Sequence, residues 1–441
     1  MKFINTLKDI FKIEELKNKI LLTIGLIAVY RFMAAVPLPG IDPLQLSALK
    51  ESTSGGLLGL LNAFTGGAFA RASVMALGIM PYISASIVVQ LMGIAVPYLQ
   101  KLQKDGESGR KKITQITRWL TIVITLVQAP TYITAIKTSF NLPPEAFLVG
   151  GITFWISSII ILTAGTIFAM WLGERITDKG IGNGISLLIT VGIIANFPAA
   201  FLQEFLSKTE NAGAGGLMMV LIEIIVWFVV ILLTVLLVTA VRKIAVQYAR
   251  RTVAGSTQNV AGSRDYIPLK LNAAGVMPII FAQAIMFLPL ALGQKFPILV
   301  GLTDPNGWQY NVIFALLIII FSYFYTAITI PTNKMAEDLK RSGGFIPGIR
   351  PGKDTADRLD SVLSRITFPG SLFLAGLSIL PAIVVQFGVQ QGWSMFYGGT
   401  SLIIMVGVAI DTIQQINSYL LNNHYDGLMK PGNSNRKSNK Q

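Results

Sequence analysis

Almost nothing in this 441-residue chain can make or break a covalent bond. It contains no cysteine and one histidine, His424, which removes thiol nucleophiles, disulfides, Cys or His zinc sites and any His-based triad. Neither HExxH nor GxSxG occurs, so metalloprotease and serine-hydrolase chemistry inside a membrane also fails. The string KGIGNGIS carries Gly180, Gly182 and Gly184, the nearest approach to a phosphate loop. No GK[ST] follows it and no βαβ unit surrounds it, which rejects nucleotide binding. An enzyme is not expected, and neither is a cofactor or a metal.

What remains is a small set of polar and ionisable residues in apolar surroundings. Gln90, Gln128 and Asn272 carry amides that need partners in hydrocarbon, and bonds among them across a helix seam would be worth about 0.6 to 2 kcal/mol. Arg31, Glu223 and Asp411 each stand close to a helix end, where snorkelling accounts for them. A midplane carboxylate or proton relay, the mark of a pump or an ion-coupled transporter, is missing.

These residues sit in an unusually apolar chain: 52% hydrophobic and 13% charged, against roughly 25% charged in soluble domains. Uncharged windows run over 72–97, 119–136, 146–173, 180–203, 271–294 and 305–333. Windows 20–36 and 217–241 qualify with one charge each. The 45 uncharged residues of 366–410 exceed one crossing of a roughly 30 Å core, so they divide at the polar run around Gln386, Gln390 and Gln391. The expectation is an all-α polytopic membrane protein with ten transmembrane helices. The first span stays in the mature chain, because nineteen residues precede it and nine spans follow.

The net charge of +14 has a location. Of 36 Lys and Arg, 30 fall in the two termini and the loops after spans two, four, six and eight, together with 15 of 22 acidic residues. That side carries +15 and the other −1, which predicts that both termini are cytoplasmic. Domains follow from the count: an amphipathic segment 1–19, an N-terminal half 20–203, an external hinge 204–216, a C-terminal half 217–416 with cytoplasmic loops 242–270 and 334–365, and a tail 417–441. Five helices per half permit an inverted repeat.

Residues 57–69 are apolar but too short to cross, which fits a re-entrant segment or an external loop helix. Ile79 and Ile83, like Ile185 and Ile189, share a helix face at i, i+4; they fit a dewetting constriction, lipid contact or helix packing. In 334–365, Gly343 and Gly344 end a helical extension of span eight, residues 347–352 form a turn presenting Arg350, and Asp354 is the expected N-cap of the next helix.

Five strings then converge: ALGIMPYISASI from Ala76, KDGESGRKKI at 104–113, WLGERITDKGIGNGIS at 171–186, FIPGIRPG at 345–352 and YGGTSLII at 397–404. Together they resemble the SecY family, the central subunit of the bacterial protein-conducting channel, over the chain from span one to span ten. The string PTNKMAED after span eight departs from the family's more usual Asn-Pro. The resemblance implies two inverted five-helix halves around a central hourglass pore, in the bacterial inner membrane. It implies a pore ring of Ile79, Ile83, Ile185, Ile189, Ile280 and Ile404, and a plug at 57–69 including Leu57, Leu61, Asn62 and Phe64. Gln90, Gln128 and Asn272 would stand at a lateral gate. Arg250, Arg251 and Arg350 would dock the SecA motor or the ribosome. SecE and SecG would be partner subunits, and the substrates unfolded secretory polypeptides and membrane helices released sideways into the lipid bilayer. The competing reading is a secondary small-solute transporter with inverted repeats, which predicts saturable binding near the midplane.

Overall fold

A backbone in lipid must satisfy its amides within the chain, which leaves helices as the spanning elements for these windows. The computed structural model describes residues 13–42, 46, 62, 64–138, 147–148, 151–210, 216–248, 264–292 and 306–429. Each of the ten expected spans holds a helix among the described residues. In chain order these are α1 (Glu14–Ala35), α2 (Met80–Ala95), a short α3 (Pro97–Lys104), α4 (Gly106–Thr138), α5 (Gly151–Lys179), α6 (Gly184–Glu210), α7 (Gly216–Thr239), α8 (Met277–Leu292), α9 (Trp308–Thr329), α10 (Thr332–Arg341), α11 (Lys353–Gln386), α12 (Gln391–Ser394) and α13 (Gly399–Met429). Among the described residues, eight helices are long and apolar enough to cross a membrane, or nine if α2 and α3 form one bent span. The bend, 101°, lies at Val96 and Pro97. Val96 is extended ahead of the proline, as sterics require, and the proline has no N–H to continue the helix. The remaining window holds α8, only 16 residues long because 271–276 are turns.

Many threonines inside these helices bond to their own backbone. Thr117, Thr121 and Thr125 each donate a hydroxyl to the carbonyl four residues earlier on α4. Large apolar side chains point outward, with Phe32 70%, Trp119 66% and Phe228 58% exposed. Water would not tolerate so much apolar surface, whereas lipid does.

The described residues pack as two compact units, one drawn from Met1–Thr53, Leu61–Asn196 and Val408–Gln441, the other mainly from Phe197–Gly407. The described residues of the stretch 204–216 are helical, because α6 continues to Glu210 and α7 begins at Gly216. Helix α1 begins at Glu14 and runs without a break into the first span, so the described end of segment 1–19 is one rod with it rather than a separate helix.

The second unit also contains a sheet, which the helical reading of the sequence omitted. Strands β1 (Val241–Tyr248) and β2 (Arg264–Lys270) pair antiparallel, with Val241 opposite Lys270 and Gln247 opposite Arg264. A two-residue β3 (Gly344–Phe345) pairs with the other edge of β1. Ile244, Val246 and Ile267 supply apolar side chains to a small core with Leu339, Ile346 and Leu359. That core makes the 334–365 segment a built element rather than a loop. Asp354 lies in the first turn of α11, with Gly352 at the N-cap (φ 114°), so it faces the helix dipole instead of capping it. Cap geometry needs a backbone that leaves the helix, and the positive φ of Gly352 supplies that two residues earlier.

Candidate functional site

Glycines with positive φ open most of the apolar helices, Gly106, Gly151 and Gly216 heading α4, α5 and α7; the same holds for α2 after Gly78 (52°), α6 after Gly182 (83°), α8 after Gly275 (63°) and α13 from Gly399 (66°). All six isoleucines of the expected ring lie in the opening turns that follow. Ile79 is the N-cap of α2 and Ile83 stands one turn later; Ile185 and Ile189 occupy the first two turns of α6. In the second unit, Ile280 is in the first turn of α8 and Ile404 in the second turn of α13. Ile79, Ile189 and Ile404 are buried, while Ile83, Ile185 and Ile280 are half-buried. Residues 74–79 are turns and bends and 271–276 are turns, although both stretches lie within apolar windows. Non-helical backbone is tolerated at membrane depth only where protein buries it or water reaches it. Within the second unit, a cavity of about 90 Å³ is lined by Gln283, Tyr310, Ser378, Thr400 and Ser401. Its polar walls include a Gln283 Nε2 donation to Thr400 Oγ1 at 3.4 Å, and its size suits a few waters.

The described part of the expected plug is Asn62 and 64–69, while Leu57 and Leu61 lie outside the described residues. Asn62 Oδ1 accepts from the Ala70 amide at 3.0 Å, and the Thr65 hydroxyl donates to the Asn62 carbonyl at 3.2 Å. Three helices of the first unit hold the segment. Arg31 Nη1 of α1 donates to the Gly66 carbonyl at 3.1 Å, and Tyr132 of α4 donates its hydroxyl to the Phe69 carbonyl at 2.7 Å, with the two rings 4.8 Å apart. On α6, Gly192 gives the closest backbone approach: a Cβ there would stand 2.6 Å from the Phe64 carbonyl oxygen. Snorkelling therefore does not account for Arg31, which is half-buried and bonded to the chain.

Among the amides, Gln90 is exposed on α2 and donates to Ser86 on its own helix at 3.4 Å. Gln128 is half-buried on α4, and no hydrogen bond joins the two. Asn272 Oδ1 is buried in the turns before α8 with no partner among the described residues.

The glycine string 180–184 binds protein, not phosphate. The Ile181 amide donates to Thr23 Oγ1 at 3.1 Å, the Gly182 amide to Gln415 Oε1 at 2.8 Å and the Gly184 amide to Thr177 Oγ1 at 2.9 Å. With its donors taken, the loop pins α5 and α6 to α1 and α13 within the first unit.

Arg350 lies exposed in the turn between Gly348 (φ 81°) and Gly352. The Arg350 carbonyl accepts from Thr355 Oγ1 at 2.8 Å, which fixes the turn onto α11. Beneath it lies the Val246, Leu339, Ile346 and Leu359 core, with Ile349 packed against that core one residue before Arg350. Arg250 and Arg251 lie outside the described residues.

Sequence reasoning missed one constellation. Glu223, taken there for a snorkelling residue, is buried in α7 and stands 3.5 Å from Lys208 Nζ of α6, which also lies 3.7 Å from Glu204. The signal was present: Glu204 and Lys208 are i, i+4 on one helix face.

The SecY family model matches residues 73–413. A protein translocase subunit SecY of Streptomyces galbus is 40% identical over 437 residues, covering 95% of this chain and 98% of that protein. A solved SecY channel, described as one whose plug domain stabilises the closed state and maintains a membrane seal, superposes with a TM-score of 0.63 at 19% identity over 94% of both chains. The Sec61 chain of a canine ribosome-channel complex superposes with a TM-score of 0.55 at 18% identity, again over 94% of both chains. At such identities the structural likeness concerns the fold.

Proposed function

The chain belongs to the SecY family, and from that premise we propose that it is the pore-forming subunit of a protein translocase, a passive multi-pass membrane channel and not an enzyme. The observation that carries this reading is the placement of Ile79, Ile83, Ile185, Ile189, Ile280 and Ile404, each in the opening turns of a helix that starts late within its apolar window. Apolar side chains at such breaks give a constriction that ions cannot wet and that prefers no side chain of a passing polypeptide. In this reading the 57–69 segment is the plug, and unfolded secretory chains displace it. Signal and membrane helices leave sideways past Gln90, Gln128 and Asn272, because lipid accepts about 20 apolar residues favourably.

The charge distribution supports placing both termini and both long basic segments on the cytoplasmic side of a bacterial inner membrane. With no fuel site in the chain, SecA or the ribosome supplies the work, docking at the element that presents Arg350, together with Arg250 and Arg251. A ribosome-bound relative of the same fold supports that partner. SecE and SecG are the accompanying subunits. The test is site-specific crosslinking from a stalled secretory chain in reconstituted vesicles. Adducts at Ile83 and Ile189 are expected, and adducts confined to lipid-facing controls such as Phe228 would overturn the reading.

A further inference from the structure

We infer that the second unit holds a buried proton, shared between the carboxyl groups of Glu204 and Glu223 and set against the ammonium of Lys208. This goes beyond the channel reading and does not depend on it.

The three side chains occupy one buried site. Glu204 is 1%, Glu223 7% and Lys208 9% exposed. Lys208 Nζ donates to the Gly388 carbonyl at 2.8 Å and lies 3.7 Å from Glu204 Oε1 and 3.5 Å from Glu223 Oε1. Glu204 Oε2 accepts from the Gln390 amide at 2.8 Å. Here the supply of donors ends. Glu204 Oε1 and both oxygens of Glu223 are buried with no hydrogen-bond partner among the described residues.

Aromatic rings of α6, α7 and the 387–398 connection pack against one another. The Trp393 ring centroid lies 5.2 Å from that of Phe201, edge to face, and 5.3 and 5.8 Å from those of Phe197 and Trp227, tilted. Tyr397 places its own hydroxyl on the backbone carbonyl of Glu223 at 2.8 Å, so its proton is committed there and not to the carboxylate. The titratable groups facing the site are therefore Glu204 and Lys208 from α6, Glu223 from α7 and Tyr397 from the 387–398 connection.

Fully ionised, the cluster would carry two negative charges and one positive. An uncompensated buried charge costs several kcal/mol, and two carboxylates sharing one site do not both ionise readily. One proton removes the excess charge and supplies the missing donor to an unpartnered oxygen in the same step. A metal ion fits less well, because two carboxyl groups and a lysine are a poor oxygen shell and Lys208 already fills the cationic position.

The site joins the C-terminal part of α6, the second turn of α7 and the 387–391 connection. Ser207 adds an accepted bond from Gln390 Nε2 at 3.0 Å. Loss of the proton would place like charges on α6 and α7 and loosen this join.

The experiment uses the full-length protein in lipid vesicles at neutral pH, comparing infrared spectra of the wild type with Glu223→Gln and Glu204→Gln. The shared proton predicts a protonated-carboxyl carbonyl band that shifts in D2O and disappears in each variant, because the remaining carboxylate then pairs with Lys208. Lys208→Met should roughly double the band. Should Glu204→Gln fail to fold, Glu223→Gln alone decides the matter, since it neutralises the cluster without changing its shape. A wild type without the band overturns the proposal. In that event, a thermal midpoint that differs between sodium and potassium buffers assigns the site to an inorganic cation, and one indifferent to both means that the two carboxylates are simply ionised.

Discussion

Arg31 of α1 donates a hydrogen bond to the backbone carbonyl of Gly66, 35 residues further along the chain, at 3.1 Å. A guanidinium thus holds a main-chain atom at the turn that ends the described plug segment, where no side-chain change at Gly66 could remove the acceptor. Hydrogen bonds to charged groups are worth about 1.5 to 3 kcal/mol when buried, and half-exposure reduces this one to about 1 kcal/mol.

Arg31→Ala should accordingly raise the fraction of loosened segment about five-fold. Planar-bilayer recordings of the reconstituted channel would show this as more frequent ion-conducting events. Unchanged event frequency would remove Arg31 from the list of contacts that hold the segment shut.

Gly192 makes a second, independent contact with the same segment. A Cβ there would lie 2.6 Å from the Phe64 carbonyl oxygen, and the backbone must move to admit it. Gly192→Val should cost about 1 to 3 kcal/mol through overpacking and raise leak more than Arg31→Ala. The double variant should be less than additive if both act on one segment, which a double-mutant cycle on leak frequency measures.

The ring prediction concerns wetting. Replacing Ile83 and Ile189 together by glycine removes apolar side chains from the opening turns of α2 and α6 and should increase steady ion leak in vesicles. A seal of unaltered conductance would mean that these isoleucines serve packing alone.

Two substitutions separate docking from support. Arg350→Glu reverses an exposed charge and should reduce motor-driven translocation several-fold while leaving thermal stability within about 0.5 kcal/mol. Leu359→Ala, in a fully buried position beneath the turn, should cost about 2 to 5 kcal/mol in the stability of the element and weaken docking only as a consequence. Limited proteolysis of the 334–365 segment distinguishes the two, with faster cleavage expected for Leu359→Ala alone.

The extent of sequence legibility follows from the range of the forces involved. Span positions were readable because hydrocarbon excludes charge over about 20 residues, and window 366–410 announced its own break near Gln386. The end of the helical extension, expected at Gly343 and Gly344, was also local: the helix ends at Arg341 with Ser342 as its C-cap, and Gly344 begins β3 instead. The resemblance to SecY rested on strings such as KGIGNGIS, whose glycines prove to serve close packing and filled amide donors. The sheet was less visible, since β1 alternates apolar and polar residues for only a few positions and its partner strand begins sixteen residues after it ends.

What the amino-acid order determined by itself was the list of segments the membrane accepts and the side on which charge accumulates, because both depend on composition within one window. Only the tertiary structure decided which polar atoms meet. Arg31 and Gly66, or Lys208 and Glu223, lie on different elements, and each carries the same local pattern as a snorkelling residue or a loop glycine. Burial turns those residues into partners, since an ionisable group removed from water must find its counter-charge or donor wherever the fold has brought one.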